Sequence, residues 1–255
     1  MRRGYVDLHC HLLPGVDDGP RTIEESLEYA RRAVEEGTEL IVATPHVEDV
    51  EVRELPERVA ELRERLRRER IPLAVECGGE LKQGSVPQLG DDELEILAHG
   101  PPGARWLLYE VPFSGFSDEF HAAAVELRQR GFATVLAHPE RADGFGAEAA
   151  DTALHRELDQ GAVVQMNVGP LCGFEEAARD RAARRLLRLG LASAMGTDAH
   201  PPERPYTLRM GEDAAVAASA RAADARSLVE EGPRRLLERG LPLDCSRASG
   251  RAASA

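Results

Sequence analysis

An α/β fold on a parallel sheet, closed or nearly closed into a barrel, is what this sequence predicts. Short apolar runs alternate seven times with longer, charged amphipathic segments, the pattern of repeated β–α units and hence of parallel strands. No linker-like segment splits the series. At 255 residues, a barrel is favoured over an open sheet.

The elements follow in order. A first strand is read at Tyr5–His9. Thr22 with Glu25 forms a capping box that opens a helix over 23–36, and Gly37 stops it. A strand at Glu39–Thr44, a helix over 55–70, a strand at Leu73–Gly78 and a helix over 91–98 come next. After the strand Trp106–Val111, Ser117 or Asp118 caps a helix over 118–130, which Gly131 ends. The strand Thr134–His138 leads to a helix over 147–160, stopped at Gly161. Val163–Asn167, a helix over 175–189 closed by Gly190, and Ala192–Gly196 complete the series. Apart from the first, these strands are mostly apolar, as expected where both faces are covered. Two or three more helices follow. Residues 1–245 read as one domain, and 246–255, which are Ser, Arg, Ala and Gly only, as a frayed tail.

Composition excludes several classes. With 45 acidic and 32 basic side chains the net charge is −13, which argues against broad binding to nucleic acid or anionic membrane. No apolar run approaches the roughly 18 residues that span a bilayer. Met1-Arg2-Arg3 is followed by Asp7 before a signal-peptide core can form, so the cytoplasm is the expected compartment. Cysteines 10, 77, 172 and 245 form no C-x-x-C pair and read as reduced thiols. Lys82 is the only lysine among the basic residues.

Six of the seven strands carry His, Asp or Glu at or after their carboxyl ends, the face on which barrel enzymes build their sites. They are His9 and His11 (followed by Asp17-Asp18-Gly19), His46, Glu80, Glu110, His138, and Asp198 with His200. A single such residue is usually structural; six strand ends together, with two H/D-x-H pairs, point to metal. Residues i and i+2 of an extended segment point the same way, so His9 and His11 can grip one cation while Cys10 turns into packing. Asp198 and His200 repeat the spacing. Five histidines and four carboxylates, without thiolate, suit Mn²⁺, Fe or Zn²⁺. Nine ligands are too many for one ion, and two or three ions sharing a carboxylate would use them. His99, His121 and His155 read as surface or packing residues.

The elements Asp7-Leu8-His9-Cys10-His11, Asp17-Asp18-Gly19-Pro20, Ala43-Thr44-Pro45-His46, Gly79-Glu80, Ala137-His138-Pro139-Glu140-Arg141 and Asp198-Ala199-His200 occur in that order. The series resembles the PHP (polymerase and histidinol phosphatase) superfamily. Within it, the sequence is similar to the bacterial PHP-type protein-tyrosine phosphatases of capsule and exopolysaccharide operons. The resemblance implies a distorted (β/α)7 TIM-like barrel with its active site at the C-terminal strand ends and three divalent ions, Mn foremost, with Fe, Zn or Co as options. It implies that His9, His11, Glu80 and Asp198 hold the first ion. Glu80, Glu110 and His138 would hold the second, and Asp18, His46 and His200 the third. It also implies that Arg141 and Arg204 hold the phosphoryl group while a water shared between ions attacks phosphorus. The implied partner is a phosphotyrosine protein, a tyrosine autokinase controlling polysaccharide export.

Other readings stay open at this point. A histidinol-phosphate or other small phosphomonoester phosphatase would share the site, and the acidic loop Val47-Glu48-Asp49-Val50-Glu51 leaves room for one. An amidohydrolase also begins with H-x-H, but Glu110 stands where a carboxylated lysine often ends strand four. A non-catalytic metal-binding module would be expected to lack ligands or arginines. A nuclease would carry a basic stripe. Phe113, Phe116 and Phe120 could line a slot for a phenyl ring or pack a helix. Cys245 to Arg251 matches the C-x₅-R pattern of cysteine phosphatases, but in a terminal tail it lacks the strand–helix setting that activates the thiol.

Overall fold

The Thr22 hydroxyl accepts from the Glu25 backbone N–H at 3.3 Å, and the Glu25 carboxylate accepts from the Thr22 N–H at 3.4 Å. This reciprocal cap starts helix α1, Ile23–Glu35. The computed structural model describes residues 4–218 and 221–243; the predicted tail and Cys245 lie outside them. The remaining elements are β1 Tyr5–Cys10, β2 Thr38–Ala43, α2 Leu55–Arg68, β3 Ala74–Cys77, β4 Glu80–Leu81 and α3 Asp91–Leu97. They continue as β5 Trp106–Glu110, α4 Asp118–Gln129, β6 Ala133–Ala137, α5 Glu148–Asp159, β7 Val163–Asn167, α6 Val168–Leu171, α7 Ala177–Leu189 and β8 Ala192–Gly196. Three helices follow: α8 Leu208–Ala217, α9 Ala222–Val229 and α10 Glu231–Arg239. Glycines 37, 131, 161 and 190 all take positive φ, as helix stops require.

The fold is α/β with parallel strands, as expected. The strands form two sheets, β1-β2-β3 and β4-β5-β6-β7-β8. Isolated parallel bridges, Cys10 to Ala199 and His46 to Glu80, connect them. The strand expected over 73–78 is β3, and after Gly78-Gly79 comes a further short strand, β4, that the sequence reading did not include. A Cβ on Gly78 would meet Val42 at 2.7 Å, and one on Gly79 would meet Leu97 at 2.7 Å. Only glycine permits this approach, and it delivers Glu80 to the second sheet, where it pairs with Leu108.

A small apolar cluster joins residues of both sheets, including Val6, Leu8, Val42, Leu108, Val135 and Ala194, with Trp106 and Leu236. Trp106 donates from Nε1 to the Leu236 carbonyl at 2.8 Å, so α10 closes the end where β5 begins. A larger cluster packs the helices on the outside. In α2, Val59, Leu62 and Leu66 are each 1% exposed; burial at that level is worth about 1.5–3 kcal/mol per side chain.

Candidate metal centre and phosphate-binding cavity

The centre forms at the carboxyl ends of the strands. In β1, Asp7 pairs with Ile41 and Cys10 with Ala43, so β1 advances three residues while β2 advances two. This bulge reverses the alternation. Val6 and Leu8 join the inner cluster and Cys10 the outer one, and both imidazoles, His9 and His11, turn into the centre. His138 and Asp198, each just past a strand, adopt left-handed backbone at φ 36° and 48°, conformations that non-glycine residues keep where the surroundings enforce them.

Around β1 four donors converge. His9 Nε2 lies 3.3 Å from Glu80 Oε2 and 3.5 Å from Asp198 Oδ1; His11 Nε2 lies 3.4 and 3.5 Å from the same atoms. These four distances are of the size that separates neighbouring ligand atoms when each lies about 2.1 Å from a shared ion, the length of a metal–nitrogen or metal–oxygen bond. A second group joins His11, Asp18, His46 and His200, with His200 Nε2 at 3.0 Å and His46 Nε2 at 3.6 Å from Asp18 Oδ1. A third joins His46, Glu80 and Glu110. His138 reaches the centre through Glu80, Nε2 to Oε1 at 2.8 Å. All nine sequence-predicted ligands thus come together, although the grouping differs from the one the resemblance implies. His11 and His46 each serve two groups, and His46 stands beside Glu110 where His138 was expected.

Whether this set fits metal can be judged from its unpaired atoms. His9 Nε2, His11 Nε2, His46 Nδ1, His200 Nε2 and Glu110 Oε2 are buried without a hydrogen-bond partner. Each such atom costs about 1–3 kcal/mol in an apolar interior. Convergent lone pairs without donors are what a cation requires, and the residues fit divalent metal.

Neighbouring residues settle which nitrogen faces inward. His9 Nδ1 bonds Gln165 Oε1 at 2.9 Å, His11 Nδ1 bonds Asp17 Oδ2 at 2.6 Å, and His200 Nδ1 bonds the Asp198 carbonyl at 2.9 Å. A donating Nδ1–H leaves Nε2 as the acceptor facing the centre. Asp17 also accepts from the His46 and Gly19 backbone N–H groups. A Cβ on Gly19 would meet the His11 carbonyl at 2.8 Å, so this loop needs glycine there. Asn167 Nδ2 donates to Asp198 Oδ2 at 2.8 Å. Sequence reasoning missed Gln165 and Asn167. The available signal was a polar pair in the one strand with no ligand at its end, and both are buried.

The charge distribution is split. Burial pushes Glu80 up, but His9, His11 and His138 outweigh it and hold the carboxyl well below its usual range. Burial, aided by the Glu80 charge, pushes Glu110 up to about 7. Burial and the neighbouring His11 bring His200 down to about 4.

The centre opens into a cavity of about 530 Å³. Arg141 and Arg204 line it, as does Lys82. Arg141 donates from one terminal nitrogen to Asp198 Oδ2 at 2.6 Å, and Arg204 lies 3.8 Å from Asp18 and 3.9 Å from Asp198. Lys82 pairs with Glu48 of the acidic loop and lies 3.8 Å from Glu110. Phe113 lines the cavity, whereas Phe116 packs edge-on against Phe120 at 5.3 Å. His99 packs on Trp106, and His121 on Glu157 at 2.6 Å; His155 is exposed. Among the described residues no helix is long and apolar enough to cross a membrane.

A family model for capsular polysaccharide synthesis, CpsB/CapC, matches residues 5–238. The tyrosine-protein phosphatase YwqE of Bacillus subtilis (strain 168) is 32% identical over 201 residues, 76% of this chain and 77% of that protein. The tyrosine-protein phosphatase CpsB of Streptococcus pneumoniae is 25% identical over 244 residues, 91% of this chain and 98% of the other. A crystal structure from work on YwqE and CpsB, described as unique metal-dependent tyrosine phosphatases, superposes with a TM-score of 0.72 at 29% identity. That match covers 91% of this chain and 93% of the other.

Proposed function

The chain belongs to the CpsB/CapC capsular polysaccharide synthesis family, and we propose that it is a metal-dependent phosphatase hydrolysing phosphotyrosine on protein. The observation that carries this reading is the convergence of unpaired, buried histidine nitrogens on Glu80 and Asp198 beneath a cavity lined by two arginines. His9, His11, Glu80 and Asp198 would hold one ion. Glu80, Glu110 and His138, with His46 at their edge, would hold a second, and Asp18, His46 and His200 a third. Three Mn²⁺ ions are the proposed complement. We read the two bridged sheets as arcs of one distorted (β/α)7 barrel, with residues 1–245 as a single domain.

Bound divalent ions would supply an acidified water near neutral pH and neutralise phosphoryl charge. The chain's own residues do the rest. Arg141, fixed by Asp198, and the more exposed Arg204 present N–H groups to the equatorial oxygens, where charge grows as the bond from phosphorus to the tyrosyl oxygen breaks. The departing tyrosinate, with a parent pKa of about 10, needs little help from a general acid. No residue need form a covalent phosphoenzyme.

A tyrosine autokinase controlling capsule or exopolysaccharide synthesis, met in the cytoplasm, is the proposed substrate. The test compares phosphate release from a phosphotyrosine peptide and from histidinol phosphate by Mn²⁺-loaded protein, with His9→Ala as control. Preference for the peptide, lost in the variant, is expected. Preference for histidinol phosphate would move the protein to small-molecule metabolism. Activity surviving His9→Ala would overturn the metal mechanism.

A further inference from the structure

The cavity is lined by thirteen residues, eleven of them polar or charged; the two apolar ones are the neighbours Pro112 and Phe113. Phe113 is 44% exposed. Its place is well held. The Phe113 carbonyl accepts from the Asp143 N–H at 2.6 Å. The guanidinium carbons of Arg141 and Arg179 lie 4.7 and 5.1 Å from the ring centroid, within cation–π range. Both arginines also pair with Glu175, at 3.4 and 2.9 Å. The ring is therefore fixed relative to Arg141, one terminal nitrogen of which is tied to Asp198.

We propose that Phe113 is a specificity-determining residue: its ring is the wall on which the aromatic ring of a phosphorylated substrate rests while Arg141 takes the phosphoryl oxygens. This deepens the phosphatase reading above and rests on it. An aryl phosphate is a dianion at one end and an apolar ring at the other, so it needs a cation and an apolar wall side by side. Among the described residues of this cavity, the Pro112-Phe113 pair beside Arg141 is where that combination occurs. Phe116, the other aromatic that could have served, is turned into packing against Phe120 and His121.

Equilibrium binding of two unreactive probes, phenylphosphonate and methylphosphonate, tests the proposal by titration calorimetry on the Mn²⁺-loaded protein. Wild-type protein should prefer the phenyl probe. Phe113→Ala should reduce that preference about 3- to 10-fold, the weight of one aromatic contact, and leave methylphosphonate binding within about twofold. Phe113→Tyr should keep it. A wild-type preference below about twofold, or an Ala variant that keeps its preference, overturns the proposal. Equal weakening of both probes also overturns it, because Phe113 would then serve only to hold Arg141. Because the probes are not hydrolysed, this result is separate from turnover. A wild-type protein that favours the phenyl probe but does not release phosphate from a phosphotyrosine peptide would sink the activity reading and leave the ring contact standing.

Discussion

Gln165 Oε1, on β7, receives the Nδ1–H of His9, on β1 of the other sheet, at 2.9 Å, and this bond decides that Nε2 of His9 is the atom facing Glu80 and Asp198. The Gln165 side-chain amide nitrogen is held in turn by the Met166 carbonyl at 2.6 Å and Asn167 Oδ1 at 2.9 Å, so the amide cannot flip without losing both.

Gln165→Leu should therefore weaken metal binding while the chain still folds. Loss of an orienting partner of this kind typically costs 10–100-fold in metal affinity or activity. Competition with a chelator of known affinity measures it, beside a circular dichroism control. Unchanged affinity would show that another contact sets the His9 tautomer.

Removing metal should lower thermal stability. At a free ion concentration about 100 times the dissociation constant, a ligand adds about 2.7 kcal/mol, or roughly 5–10 °C for a domain of this size. Scanning calorimetry of loaded and EDTA-treated protein should show that gap. Coincident melts would mean the unpaired nitrogens bind no ion.

Arg141→Lys should separate charge from geometry. The lysine keeps the cation but loses the rigid planar fork that presents one N–H to Asp198 and others to the phosphoryl oxygens. A fall of about 10²-fold or more in kcat/KM for p-nitrophenyl phosphate is expected, with metal content measured by atomic spectroscopy unchanged. Equal activity would remove Arg141 from the reaction.

Gly19→Ala should disturb the loop more than its size suggests. The added carbon would sit 2.8 Å from the His11 carbonyl and 3.0 Å from Asp17 Oδ1. That displaces Asp17, which holds His11, and moves Asp18 from His200. Metal stoichiometry should drop while β-sheet and helix signals persist; full stoichiometry would show that the loop adapts.

The thiols should be bystanders. Burial pushes Cys77 and Cys172 up to about 11. A raised pKa keeps the proton on, so at pH 8 about one thiol in a thousand is thiolate. In a Cys245→Ser variant, iodoacetamide labelling should be slow at pH 8 and accelerate as pH rises toward 11, with phosphatase activity intact throughout. Loss of activity on Cys245→Ser would revive a cysteine mechanism.

Much of this architecture is legible in one dimension because it is set by local rules. Alternating apolar runs mark the strands, Thr22, Glu25 and the stop glycines bound the helices, and two-residue spacing pairs His9 with His11. The nine candidate ligands could be named because strand ends of parallel β–α units share one face. Three-dimensional packing decided the rest. The bulge in β1 selects which alternate residues enter the centre, and a bulge depends on the register with β2, which the β1 residues alone do not encode. The extra strand β4 was not legible, because the Gly78-Gly79 step that starts it is set by Val42 and Leu97, distant in sequence, packed close to the backbone there. Gln165 and Asn167 are ordinary polar residues until β7 lies beside β6 and β8. Phe113 and Phe116 are equivalent by composition, and only the turn after β5 sends one ring to the cavity and the other to Phe120. The sequence determined the residue types and their order; contacts between distant segments determined direction, since the face a side chain presents is fixed by what packs against its backbone.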